Sequence, residues 1–182
     1  MHVDGIAARA RELSDCILAS PTAAEALCAW CEEQGFRPGR ITYARRDRST
    51  TRFPDDRALD ALGLKPHEGV ETRCVSLLRG DLVLAEADNW LVPNRLPPHI
   101  RIVLRASNVG LDAALRTIGA SRRIVFVRFA ISVPEPSAPV LEHRAVFHDR
   151  DRCPLAVVSE RYHAALFPDA LNGAAVLRAR RR

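Results

Sequence analysis

The chain has 182 residues, enough for one domain with a sizeable core, and its 47% hydrophobic and 27% charged content is that of an ordinary globular protein. No apolar run is long enough to span a bilayer, and Asp4, Arg9, Arg11 and Glu12 interrupt the N-terminal stretch where a secretory signal needs an apolar core. The net charge of +5 is concentrated at one end: Arg178 and Arg180 to Arg182 carry four of the five, and the 5% aromatic content offers few platforms for stacked bases. These numbers predict a single cytoplasmic domain over residues 1–182 with a solvated basic tail at 178–182, and neither a membrane nor a nucleic-acid partner.

In chain order, Ile6, Leu13, Ile17 and Leu18 lie near one helical stripe, which predicts a helix over 4–19. Ser20, Pro21 and Thr22 end it and start a second helix that runs to about Gln34 and stops at Gly35. Residues 40–45 alternate as a strand, a polar loop follows, and a short helix is expected over 56–64. Two long strand-like runs, 70–79 and 82–92, flank Gly80-Asp81, a hairpin signal. From 94 to 119 the pattern turns helical: Asn94 is a candidate cap, Pro97 and Pro98 suit a first turn, and a shorter helix over 111–118 closes at Gly119. Strand patterning returns at 122–133. After the Pro-rich segment 134–139, runs 140–148 and 154–162 form a hairpin about the charged turn 149–152. Six mostly neighbouring strands, helices in front and one helical insertion predict an α+β fold: a six-stranded, mostly antiparallel sheet with helices packed on one face.

The five cysteines have no regular spacing, so no disulfide framework is implied. Cys28 and Cys31 form a CxxC, but mid-helix, with no second pair to complete a zinc site; they read as two small residues of a core helix. No metal site is expected.

Ionisable residues inside strands are the candidates for chemistry. Side chains at i and i+2 share a face, so Glu71, Arg73, Val75, Leu77 and Arg79 go together. Leu82, Leu84, Glu86, Asp88, Trp90 and Val92 form one face of the next run, and Ala156, Val158, Glu160 and Tyr162 one face of the last. An Arg and a Glu pointing under a helical cover would form a small buried polar site. Neither charge would be buried without a partner. Arg73 could hold a ligand carboxylate, and Glu160 could meet a hydroxyl or ether oxygen, or pair with Arg144 or Arg161.

The stretch ETRCVSLLRGDLVLAEADNWLVP, followed by SNVGLDAAL and then PLAVVSERYHAALF, resembles the chorismate lyase (chorismate pyruvate-lyase) family. That family belongs to a superfamily shared with the ligand-binding domains of certain transcriptional regulators. The resemblance covers roughly residues 68–167. It implies a six-stranded antiparallel sheet with a ligand buried beneath helical flaps, and elimination of pyruvate from chorismate to give 4-hydroxybenzoate without metal or organic cofactor. By the resemblance, Arg73 holds the aromatic carboxylate, Glu160 lies near the 4-oxygen as catalytic partner, and Val109 beside Gly110 gives a backbone contact. Two positions depart from the pattern. Asp88 stands where the family has a small residue near the ligand, and Asp112 follows Leu111 where an Arg is usual. The expectation is therefore a carbon–oxygen lyase acting on chorismate or a close relative, with a non-catalytic aromatic-acid binding module of the same fold as the alternative.

Overall fold

A computed structural model describes residues 3–45, 52–130 and 135–167, so the basic tail at 178–182 lies outside the described residues. The elements are α1 (Val3–Ala19), α2 (Ala23–Glu33), β1 (Ile41–Arg45), α3 (Asp56–Leu62), β2 (Glu71–Arg79) and β3 (Leu82–Leu91). They continue with α4 (Pro98–Ala106), α5 (Leu111–Arg116), β4 (Ser121–Phe129), β5 (Pro139–His148) and β6 (Pro154–His163). The strands form one sheet in the order β1-β2-β3-β6-β5-β4, and every neighbouring pair is antiparallel. The fold is α+β, as the segregated elements predict. No helix among the described residues is long and apolar enough to cross a membrane.

Topology positions the helical insertion. The chain leaves β3 in the middle of the sheet and re-enters at β4 on its edge, and α4 and α5 fill that crossover. Leu104, Leu111 and Leu115 of this cover share a core cluster with Leu13, Ile17, Leu27 and Trp30 of α1 and α2, and with Val75, Ala87, Tyr162, Leu141 and Phe147 of the sheet. Burial of these side chains is the main stabilising contribution, about 1.5–3 kcal/mol for each large apolar side chain. The Trp30 indole N–H also donates to the Leu166 carbonyl at 3.1 Å, and Phe167 packs edge-on against its ring.

Three local readings differ from the structure. Helix α3 packs on the opposite face, where Ala58 and Leu62 meet Trp90, Val146 and Val157, so the helices divide between both sides of the sheet. Asn94 does not cap α4. It lies in a 3-10 turn, Pro93–Arg95, and Pro97 precedes α4 without a side-chain cap bond. Arg95 in that turn instead ion-pairs with Glu68 and donates to the carbonyls of Leu62 and Pro154 at 2.7 Å, tying the end of α3 to the start of β6. Third, the β2–β3 register shifts between Leu77 and Leu78, next to the turn where Gly80 adopts φ 59°. The bulge breaks the simple alternation: Leu84 joins the core cluster with Ala85 and Ala87, and no longer travels with Glu86.

One buried residue makes stability depend on pH. His143 on β5 is fully buried, its Nε2 lies 2.9 Å from Ser14 Oγ of α1, and its ring packs edge-on against Tyr162. Burial, and then the nearby Arg122 charge, push its pKa down from 6.5 to about 4. The unfolded chain therefore takes up a proton that the folded chain refuses, so this contribution is complete above pH 6.5 and is lost as pH falls through about 4. Urea denaturation between these limits is expected to show a loss of up to about 3 kcal/mol from this group, and His143→Gln to flatten that part of the profile.

Candidate functional site

The strand registers bring Arg73 and Glu160 to the same face. Val75 lies opposite Ala87, and Ala87 opposite Glu160, so Glu160 sits two strands across and two residues along from Arg73. Both side chains are buried under α4–α5. Arg73 donates Nη2 to the carbonyl of Val109 at 2.7 Å and, at 3.4 Å, to that of Ser107, so the sheet guanidinium is tied to the loop joining the two helices of the cover.

Glu160 does not pair with Arg144 or Arg161. Its Oε2 accepts from Arg122 Nη2 at 2.5 Å and from the Tyr162 hydroxyl at 2.8 Å. Arg122, at the start of β4, faces the cleft because it lies opposite Phe147 on the helix-covered side. Burial works against its charge, but Glu160, Tyr162 and Asp112 together hold its pKa above the ordinary value. Burial and then Glu160 push the Tyr162 phenol well above 10, so it stays a donor.

Asp112 also faces this cleft. It is buried at the start of α5, where Oδ2 accepts from the Ala23 N–H of α2 at 2.9 Å and Oδ1 from the Ala113 N–H at 2.8 Å. Burial, then the Glu160 charge, raise its pKa. Tyr43 of β1 stands beside it, and its phenol is pushed far up by burial and then by Asp112 and Glu160, with Arg73 and Arg122 acting the other way. Tyr43 thus stands within the electrostatic reach of all four charged groups.

Tyr43, Asn89, Asp112 and Glu160, with Leu77 and Val158, enclose a space of about 10 Å³, room for roughly one water. Gly110 is part of the closure. Its φ of −64° is open to any residue, but a Cβ there would stand 2.5 Å from Tyr43 Oη and 2.7 Å from Asp112 Oδ1. Glycine is required by close approach, not by backbone conformation.

Asp88, expected beside the ligand, does not share the face of Arg73 and Glu160. The two-residue period that sends Asn89 to the cleft sends Asp88 to the opposite face, where Arg161 Nη1 donates to it at 2.7 Å and Arg161 Nη2 to Glu86 at 3.2 Å. On that face a wider open groove of about 760 Å³ runs between α3 and β4–β5. Four of its charged side chains pair with each other, Arg144 with Asp55 at 2.9 Å and Arg128 with Glu142 at 2.5 Å. The CxxC pair sits on α2 with Cys31 buried, which pushes that thiol up to about 11 and keeps it protonated. No three His, Cys, Asp or Glu side chains among the described residues come together as a metal site.

Sequence reasoning overlooked Arg122, Tyr43 and the inward turn of Asp112. Asp112 stood out as a departure at its position, and that was its signal. Arg122 had none, because its role follows from which strand β4 pairs with.

No family model matches the chain. The uncharacterized protein y4mC of Sinorhizobium fredii is 28% identical over 165 residues, covering 80% of this chain and 70% of that protein. Among solved structures, PhnF from Mycobacterium smegmatis superposes with a TM-score of 0.58 at 17% identity, over 81% of this chain and 65% of that one. The effector domain of the same protein gives 0.48 at 17% identity, over 79% and 88% of the respective chains. What is shared with PhnF is the fold, and the chain spans about two thirds of PhnF's length.

Two substitutions check this geometry. Asp88→Ala removes the shorter of the two ion pairs of buried Arg161 and leaves it Glu86 at 3.2 Å, with an expected loss of about 1–3 kcal/mol in denaturant melts. Gly110→Ala forces the Tyr43 ring or the α5 start to move, with an expected loss of about 1–3 kcal/mol.

Proposed function

We propose that this chain is a small-molecule binding module that holds a small carboxylic acid between the sheet and the α4–α5 cover, without turning it over. Arg73 is the proposed carboxylate receptor. A guanidinium on a rigid central strand offers a planar, charge-assisted donor pair to a carboxylate, in a site from which water is largely excluded. The resemblance puts the family's carboxylate-binding Arg at the same position.

The observation that carries the non-catalytic part is the state of Glu160. Its Oε2 already takes the Arg122 guanidinium and the Tyr162 hydroxyl. A carboxylate oxygen that already accepts two donors from the protein is poorly placed to approach a leaving ether oxygen. Chorismate is also a dicarboxylate, and a second carboxylate would enter a cleft lined by Glu160 and Asp112 while Arg122 is engaged by Glu160.

Binding must be linked to movement of the cover. Pockets for small ligands span about 300–1,000 Å³, far more than the space now enclosed. The ligand carboxylate would replace the carbonyls of Ser107 and Val109 on Arg73, so occupancy and the position of the 107–112 segment become one equilibrium.

Thermal melts of the full chain with benzoate and 4-hydroxybenzoate test the reading. A ligand at a hundred times its Kd adds about 2.7 kcal/mol of stability, readily seen as a rise in Tm. Arg73→Ala is expected to abolish that rise, Arg73→Lys to keep part of it, and Asp88→Asn to leave the ligand-induced rise intact. Protection that survives Arg73→Ala would place the ligand elsewhere. Incubation with chorismate is expected to release no pyruvate; stoichiometric pyruvate and a hydroxybenzoate would restore the lyase reading.

A further inference from the structure

The cleft has a second pole that the carboxylate receptor does not use. Asp112 and Glu160 line the same enclosed space, and each is less than a tenth exposed. Glu160 has Arg122 as counter-charge at 2.5 Å. Asp112 accepts only from the backbone N–H groups of Ala23 and Ala113 in its hydrogen bonds, and no salt bridge among the described residues involves it. Two carboxylates and one guanidinium leave the inner end of the cleft negative, and Arg73 makes the outer end positive. Arg122 also acts on Asp112 but is hydrogen-bonded to Glu160, and a buried carboxylate without an ion pair of its own is costly unless it takes a proton or is given a cation.

Resting on the binding reading above, we infer that the ligand is an aminocarboxylate: its acid group sits on Arg73 and an ammonium at its far end pairs with Asp112. Asp112 is then a specificity-determining residue. A neutral hydroxyl donor at that end is accepted less tightly, and a second acid group is rejected. The span fits a compact ligand. Two strand spacings across and two residues along put the Cα atoms of Arg73 and Glu160 ~12 Å apart.

The choice of an ammonium follows from the distribution of donors. The inner end already has hydrogen-bond donors in Tyr43, Tyr162 and Arg122, so a ligand supplying only another neutral donor would add little. With Arg122 set against both Glu160 and Asp112, its balance of charge is still negative. A charge-assisted bond between ammonium and carboxylate in a closed cleft discriminates more strongly than a hydroxyl in the same place.

Calorimetric titration of the full chain with four para-substituted benzoates decides the matter: benzoate, 4-hydroxybenzoate, 4-(aminomethyl)benzoate and terephthalate. The aminomethyl compound is expected to bind at least about tenfold tighter than benzoate, with 4-hydroxybenzoate between them and terephthalate weakest. Its N-acetyl derivative, which keeps the donor and loses the charge, is expected to lose that advantage. Asp112→Asn should bring the aminomethyl compound and benzoate to within about threefold of each other. The ranking on the unaltered chain stands by itself if that variant fails to fold. Acids that bind with no preference for the amine, or terephthalate that binds as well as benzoate, overturn this inference and leave the carboxylate module intact. If no acid binds, both fall together.

Discussion

Glu160 and Arg161 are consecutive on β6, and both are buried. The two-residue period of a strand sends their side chains to opposite faces of the sheet, so the protein must neutralise a charge on each side of its central strand. Arg122 meets the first and Asp88, with Glu86, the second. Much of the structure follows from satisfying that constraint. Strand β4 must supply Arg122 from the far edge, and the chain must cross the helix-covered face to reach it. The crossing is what places α4 and α5 over the cleft.

The cleft is therefore polar by construction and closed by close approach. Arg73 reaches up to the 107–109 carbonyls, Asp112 reaches across to the first N–H of α2, and Gly110 lets Tyr43 come close between them. These contacts join three elements that no apolar contact alone would align: a central strand, the helical cover and the N-terminal helical pair. A ligand that takes Arg73 from its carbonyl partners acts on all three. On the proposed reading, such a site reports occupancy by a shift in the cover without any chemical step.

Hairpin β2–β3 shows how far local pattern reaches. Strand alternation on β2 is enough to group Arg73 with Val75 and Leu77, and the same rule on β6 groups Glu160 with Val158 and Tyr162. On β3 the bulge near Gly80 breaks the alternation, so Leu84 leaves the set of Glu86 and Asp88. The expectation that Asp88 borders the ligand came from a resemblance at one position. Parity against Asn89, read through the observed register, puts it on the other side of the sheet.

The sequence by itself determined the strands, most of the helices, the hairpin turn and which side chains share a face, because each depends on neighbours within a few residues. Arg73 and Glu160 could be placed on candidate inward faces by that logic. Only the tertiary structure decided the partners. Arg122 rather than Arg144 or Arg161 meets Glu160 because β4 lies beyond β5 with its register set by Phe147, and Asp112 turns inward because α5 must pass beside α2. Those choices depend on strand order and on the reach of side chains brought together from distant parts of the chain, and no periodicity within one segment encodes them.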